Sequence, residues 1–129
     1  MTRAPTIHVI DDDQAMRDSL HLLLTVEGYA VHTHASARTI LETIQDTDCG
    51  CIVTDVHMPE TNGLDLLMAL NERRVSLPVI VITGRSDRRL AAEAMREGAF
   101  DFLEKLLTLG GDPGARRFFQ PLLMRRPNR

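Results

Sequence analysis

The chain has 129 residues, 43% of them hydrophobic and 26% charged, which suits one globular domain with a single core. It has no apolar run of the ~20 residues that a membrane span needs and no N-terminal signal region, so we expect a cytoplasmic protein. Residues 1–105 hold 17 acidic and 10 basic residues, whereas residues 106–129 hold one acidic and five basic residues. An acidic folded part is therefore expected to precede a basic tail.

Strand-like and helix-like patterns alternate along the acidic part. Helical spacing of apolar residues is clear at Met16, Leu20 and Leu24, and Gly28 and Gly98 stand where helices would end. Ser36, and Ser86 or Asp87, could cap two further helices. The β-prone runs predict strands at residues 6–10, 29–33, 51–54, 79–83 and 100–104. This repeated βα order predicts an α/β protein whose parallel sheet is covered by helices on both faces.

Polar side chains follow four of the predicted strands. Residues 11–13 are three aspartates after the first strand, Asp55 follows the third, Thr83 ends the fourth, and Lys105 follows the fifth. Because open α/β sheets bind ligands at the carboxyl ends of their strands, we expect these side chains to converge. Carboxylates that close together stay ionised only when a cation joins them. The pattern therefore indicates a divalent cation and a phosphoryl group.

Mg2+ (or Mn2+) is the expected ion, since it prefers carboxylates, waters and phosphate oxygens as ligands. Asp12 and Asp55 are the best direct ligands, and Asp11 could bind directly or through water. The backbone carbonyl of His57 could complete the shell. The other four histidines show no metal-ligand spacing, and we expect strand or surface positions for them: His8, His21, His32 and His34.

Asp55 could also be a nucleophile, because a carboxylate that attacks a phosphoryl group forms an aspartyl phosphate. The Thr83 hydroxyl could donate to a phosphoryl oxygen, and Lys105 could offset the charge on these oxygens. Each residue also has an ordinary interpretation. The aspartates 11–13 could merely cap a helix, Thr83 could be an ordinary strand residue, and Lys105 could be a solvated charge. The functional interpretation rests on their shared position at one sheet edge.

At these residues the chain resembles the receiver domain of bacterial two-component response regulators. The matching stretches keep the family's order and spacing across residues 6 to 105: residues 9–13, 54–59 with Gly63, 82–84 and 102–105. The stretches at 82–84 and 101–105 resemble the subgroup of transcription regulators whose receivers precede a LuxR-type helix-turn-helix.

The resemblance implies a flavodoxin-like, doubly wound sheet of five parallel strands in the order 2-1-3-4-5. It implies that Asp55 accepts a phosphoryl group from a sensor histidine kinase, with Mg2+ held by the ligand set above. It also implies that Thr83 and Phe102 form a switch pair, in which Phe102 fills the space that Thr83 vacates. Such a module is an enzyme only toward its own phosphorylation and dephosphorylation.

The C-terminal end departs from the family's pattern. The family usually has a proline after the lysine, commonly in cis, but here Leu106 follows, for which a cis bond costs ~2.5–4 kcal/mol. A trans bond could shift Lys105. Where the fifth helix is expected, residues 110–114 read GGDPG. We expect a receiver at 1–105 and, at 106–129, an atypical tail that resembles a truncated or out-of-frame ending. That tail would not read DNA sequence, and an uncovered sheet face could support a homodimer.

Two other functions stay open at this point. A haloacid-dehalogenase-like phosphatase would use Asp11 as its nucleophile and Thr83 in its second motif, but it would leave Asp55 without a role. A degenerate receiver would serve only for docking or dimerisation. Mapping the phosphorylated residue distinguishes these functions from an active receiver.

Overall fold

The structure, a computed structural model, describes residues 5–44, 49–56, 62–83 and 88–104. Five strands alternate with four helices within these ranges, as the sequence pattern predicted. No helix in them has both the length and the apolar character that crossing a membrane requires. The elements are β1 (Thr6–Ile10), α1 (Gln14–Val26), β2 (Ala30–His34), α2 (Ala37–Thr43), β3 (Gly50–Asp55), α3 (Gly63–Glu72), β4 (Val79–Thr83), α4 (Arg88–Arg96) and β5 (Asp101–Glu104).

All strand pairs are parallel, and the sheet order is β2-β1-β3-β4-β5, which confirms the predicted flavodoxin-like topology. The register decides what meets at the carboxyl edge. Ile10 pairs with Thr54, so the next residues on the two strands are Asp11 and Asp55. Asp55 pairs with Ile82, which places Thr83 one residue further along β4. The candidate residues therefore occupy neighbouring positions at the carboxyl edge of the sheet.

Side chains alternate between two cores, one on each face of the sheet. Both faces of β3 and β4 are covered, since every residue of these strands is buried. One core joins the sheet to α1: Val9, Val53, Ile80, Leu20 and Leu24. The other core joins the opposite face to α2, α3 and α4: Ile10, Ile52, Val81, Ile40, Leu66 and Ala94. Strands held from both sides give the carboxyl edge a rigid base.

The helix caps separate structural polar residues from candidate functional ones. The Asp13 side chain caps α1 by accepting from the Ala15 amide at 3.0 Å, and Asn62 caps α3 by accepting from the Asp65 amide at 2.8 Å. Ser36 occupies the predicted N-cap of α2, but its side chain makes no capping hydrogen bond, so that prediction is wrong in its chemistry. The cap predicted at Ser86 or Asp87 lies outside the described residues.

Gly63 lets α3 begin against the end of β3. Its amide donates to the Val56 carbonyl at 3.0 Å. A Cβ at this position would stand 2.9 Å from the Asp55 carbonyl oxygen and 3.1 Å from Val56 Cα, both of which are backbone atoms. Because backbone cannot yield as a flexible side chain does, glycine permits this approach beside the acidic edge of the sheet.

Candidate functional site

Three carboxylates meet at the carboxyl edge of the sheet. Asp11, Asp12 and Asp55 each offer an oxygen atom, and these oxygens all lie within 4.8 Å of one another. Asp11 is 1% and Asp55 4% exposed, whereas Asp12 is exposed to solvent. The structure thus brings together the acids that the sequence predicted to converge. The cluster therefore has two buried members and one that is exposed to solvent.

Asp11 is held on several sides. Its amide donates to the His34 carbonyl at 3.1 Å, and its Oδ1 accepts from the Asp13 amide at 2.9 Å. The Arg17 guanidinium donates to the Asp11 carbonyl at 2.6 Å. These bonds join the β1–α1 loop to β2 and to α1. They orient one carboxylate of the cluster and bring a positive charge close to it.

The charge arrangement favours a cation. Two unit charges 4.8 Å apart repel by roughly 3.5 kcal/mol at an effective dielectric constant of about 20. Hard divalent ions such as Mg2+ take oxygen ligands and are typically held by one or two carboxylates with waters. Three clustered carboxylates, two of them buried, fit that donor set. No other such group of His, Cys, Asp or Glu occurs among the described residues.

Thr83 presents a buried hydroxyl at the same edge. The residue is fully buried, and its Oγ1 has no hydrogen-bond partner within the described ranges. Buried hydroxyls are nearly always hydrogen-bonded, so one without a partner suits a ligand oxygen that binds there. Phe102, on the neighbouring strand, pairs with Val81 and is 40% exposed. The two members of the predicted switch pair therefore lie on adjacent strands.

Several sequence predictions fall outside the described residues. They concern the His57 carbonyl, Gly84, Lys105, the peptide bond before Leu106 and the tail at 106–129. Glu104, the residue before Lys105 in the sequence, pairs with Thr83 at the end of β5. The roles of these residues remain predictions.

A second cluster was not singled out by the sequence. His8, His32 and His34 were predicted as strand or surface residues, and they do lie on β1 and β2, while His21 is exposed on α1. The pairing of His8 with His32 brings the three imidazoles together on one face of the sheet. The signal in the sequence was that His32 and His34 are two residues apart, which places both on one face of a strand. His8 joins them only when β1 is known to lie beside β2.

Comparison with known proteins agrees with the fold. A model of the response regulator receiver domain matches residues 7–110. The chain is 52% identical over 105 residues to the transcriptional regulatory protein FixJ of Azorhizobium caulinodans, a match that covers 81% of this chain and 50% of FixJ. It is 42% identical over 102 residues to the C4-dicarboxylate transport transcriptional regulatory protein DctR of Rhodobacter capsulatus, covering 78% and 52%.

The crystal structure of FixJ-N resembles this chain with a TM-score of 0.83 at 36% identity, covering 95% of this chain and 94% of FixJ-N. The chain spans about half the length of the curated relatives it matches. The parallel sheet, its strand order and its acidic carboxyl edge define a flavodoxin-like α/β domain. The chain belongs to the response regulator receiver domain family, and its relatives are regulators of the FixJ type. This membership confirms the predicted receiver class and decides against the haloacid-dehalogenase-like alternative.

Proposed function

We propose that this receiver takes a phosphoryl group from a sensor histidine kinase onto Asp55. The observation that carries the proposal is the convergence of Asp11, Asp12 and Asp55, whose oxygens lie within 4.8 Å of one another at the carboxyl edge of the sheet. That arrangement combines a carboxylate nucleophile with the ligands of a hard cation. The kinase is inferred from membership of the receiver family.

Asp55 suits the role of nucleophile better than Asp11. It ends β3, the central strand of the sheet, so it lies between the Asp11–Asp12 loop and Thr83 of β4. One oxygen of Asp11 already accepts a hydrogen bond from the Asp13 amide, which suits an oriented metal ligand. In the proposed step an Asp55 oxygen forms a bond to phosphorus, and the bond from phosphorus to the donor's nitrogen or oxygen breaks with its electron pair leaving on the donor.

Asp11, Asp12 and Asp55, together with the His57 carbonyl, would hold Mg2+ or Mn2+. The bound ion supplies charge compensation for the phosphoryl oxygens. The Thr83 hydroxyl donates a hydrogen bond to one of these oxygens, and Lys105 provides a second positive charge. Support for the Thr83 role comes from its buried Oγ1, which has no partner in the described part of the chain. The receiver thereby catalyses its own phosphorylation and dephosphorylation and no other reaction.

The proposed switch couples Thr83 to Phe102. Hydrogen bonding of Thr83 to the phosphoryl group draws its side chain toward the site, and Phe102 moves into the space that is vacated. Support comes from the 40% exposure of Phe102, because an exposed aromatic ring gains by burial when space opens beside it. Phosphorylation then shifts an equilibrium between two packings of β4 and β5.

Mapping the phosphorylated residue tests this function. The full chain is incubated with acetyl phosphate and Mg2+, the acyl phosphate is reduced with borohydride, and the labelled peptide is identified by mass spectrometry. We expect one label, on Asp55, and none when Mg2+ is chelated. Asp55→Asn should abolish labelling, while Asp65→Asn, which changes an exposed carboxylate on α3, should leave it unchanged.

Other results of the same experiment would overturn the proposal. Label on Asp11 in the native chain would make that residue the nucleophile. Absence of label on a folded chain, with acetyl phosphate and with a histidine kinase as donor, would favour a receiver used only for docking or dimerisation. Equal labelling with and without Mg2+ would contradict the role of the acidic cluster as a metal site.

A further inference from the structure

One arginine side chain connects α1 to the loop that carries two members of the acidic cluster. Arg17 is half-buried near the start of α1, and its amide donates to the Asp13 carbonyl at 3.0 Å. Helical side chains lean toward the N-terminus of their helix, so this one reaches back over the loop. Its Nη1 donates to the Asp11 carbonyl at 2.6 Å. The guanidinium therefore holds the backbone between Asp11 and Asp12.

The contacted carbonyl belongs to the peptide group that joins Asp11 to Asp12. The preceding peptide group is also held, because the Asp11 amide donates to the His34 carbonyl at 3.1 Å. Since peptide groups are planar, fixing both of them sets the direction in which the chain continues to Asp12. Asp12 is exposed, so packing does little to place its carboxylate. Its position beside Asp55 therefore depends on the backbone that Arg17 holds.

We propose that Arg17 is a positioning residue for the divalent cation, because it arranges Asp11 and Asp12 as a ligand pair before the ion binds. This inference rests on the proposed function of the acidic cluster as a metal site. A hydrogen bond from a charged donor is stronger than one between neutral groups, and arginine keeps its charge in proteins. Without the bond, the loop must be ordered when the metal binds, and the cost of that ordering lowers the affinity.

The charge of the guanidinium by itself would have the opposite effect. A positive charge near the site repels a divalent cation, so its removal would strengthen metal binding if repulsion dominated. Because Arg17 bonds to a backbone carbonyl, this contact uses no carboxylate oxygen and persists when the ion binds. The sign of the change in metal affinity therefore distinguishes positioning from repulsion.

Positioning also differs from catalysis in its kinetics. Carboxylates that hold an ion are ordered by it, so a variant without the bond needs more Mg2+ but reaches nearly the native rate at saturating Mg2+. A group that contacts the phosphoryl oxygens, as proposed for Thr83, would instead support the saturated rate itself. The concentration of Mg2+ that gives half the maximal rate and the maximal rate are therefore measured separately.

Titration of the unphosphorylated chain with Mn2+, followed by the electron paramagnetic resonance signal of the free ion, tests the proposal without phosphoryl transfer. Arg17→Met keeps an unbranched apolar stem and should weaken Mn2+ binding by about tenfold, the usual scale for a lost outer support of a metal ligand. Arg17→Lys keeps a charged donor on a shorter stem and should recover part of the affinity. Arg38→Met, which removes an exposed arginine from α2, is the matched control and should bind like the native chain. Asp13→Ala controls for loosening of α1, because it loses the cap and keeps the arginine contact.

Two further measurements accompany the titration. With acetyl phosphate as donor, Arg17→Met should need about tenfold more Mg2+ for half its maximal rate, while the maximal rate stays within about twofold of the native value. The 13C chemical shift of the Asp11 carbonyl reports the bond itself and should move upfield in Arg17→Met and less in Arg17→Lys.

The proposal is wrong if folded Arg17→Met binds Mn2+ as tightly as the native chain or more tightly. It is also wrong if Asp13→Ala weakens binding to the same extent, because Arg17 would then act only by stabilising α1. A lower maximal rate with unchanged Mg2+ dependence would likewise contradict positioning. Label on a residue other than Asp55 in the native chain would overturn the proposed phosphoacceptor and leave the positioning role in place, so each proposal can fail alone.

Discussion

Asp11, Asp12 and Asp13 carry the same side chain in consecutive positions, but the fold gives them three different environments. Asp11 is buried and its Oδ1 accepts a backbone hydrogen bond, Asp12 is exposed within the acidic cluster, and Asp13 caps α1. The sequence left open whether all three merely cap the helix. Only the backbone path between β1 and α1 distinguishes them, because it turns Asp13 toward the helix and Asp12 toward Asp55.

The contrast between Asp12 and Asp13 can be measured. Asp12→Ala should weaken Mg2+ binding and slow phosphorylation by acetyl phosphate, because the cluster loses a ligand and the rest of its charge is compensated less well. Asp13→Ala is the matched control. It should cost about 1 kcal/mol of unfolding free energy through the lost cap, while Mg2+ affinity is retained. Mg2+ titration and urea denaturation of both variants provide the comparison. Unchanged Mg2+ affinity in Asp12→Ala would contradict the metal assignment.

At the scale of elements, β4 and β5 carry the proposed switch. The chain contains no tryptophan, so the fluorescence of a tryptophan introduced there can be measured without interference. Phe102→Trp puts a single fluorophore at a position that is 40% exposed. Acetyl phosphate with Mg2+ should shift its emission to shorter wavelength, because the ring becomes buried when Thr83 moves. Adding Thr83→Ala should remove the shift while Asp55 is still labelled. The same shift in the Thr83→Ala background would show that the two residues are not coupled.

The strands were predictable because their apolar runs are short, β-prone and bounded by turn residues. β1 and β4 have the predicted ends, and β3 extends one residue further at each end. The convergence of Asp11 with Asp55 was expected because both residues follow strands whose carboxyl ends share one edge of a parallel sheet. Pairing register did not follow from the sequence, which is why the histidine cluster was missed. The sequence also could not predict that the Ser36 side chain makes no capping hydrogen bond, since a hydroxyl at an N-cap need not bond to the helix.

At the scale of the whole molecule, the uneven charge and the unusual C-terminal composition suggest a test of assembly. Residues 106–129 contain GGDPG at 110–114 and five arginines, a composition that does not predict a covering amphipathic helix. Both faces of β3 and β4 are buried, but Phe102 on β5 is 40% exposed. If a second chain covers the sheet beside β5, unphosphorylated protein should sediment as a dimer. The measurement is sedimentation velocity over a wide concentration range, with and without acetyl phosphate. A monomer throughout, with residues 106–129 protected from hydrogen exchange, would show that the tail covers its own domain.

The acidic cluster should also govern global stability. Without a cation its carboxylates repel one another, so the native state carries a cost that the unfolded chain avoids. Mg2+ should therefore raise the free energy of unfolding, by about 1.4 kcal/mol when its free concentration is ten times the dissociation constant. Asp12→Ala should unfold at higher urea than the native chain when Mg2+ is absent, since one repelling charge is gone.

Asp12→Ala should then gain little further stability from Mg2+. Its advantage over the native chain in free energy of unfolding should therefore shrink or reverse as the ion is added. Urea denaturation at matched ionic strength, with NaCl replacing MgCl2, separates this specific effect from general screening. Asp65→Asn is the control, because this exposed carboxylate lies outside the cluster and should leave the Mg2+ response unchanged. Equal stabilisation of Asp12→Ala and the native chain by Mg2+ would mean that the ion binds elsewhere. A less stable Asp12→Ala in the absence of Mg2+ would mean that Asp12 contributes favourable contacts larger than the repulsion it causes.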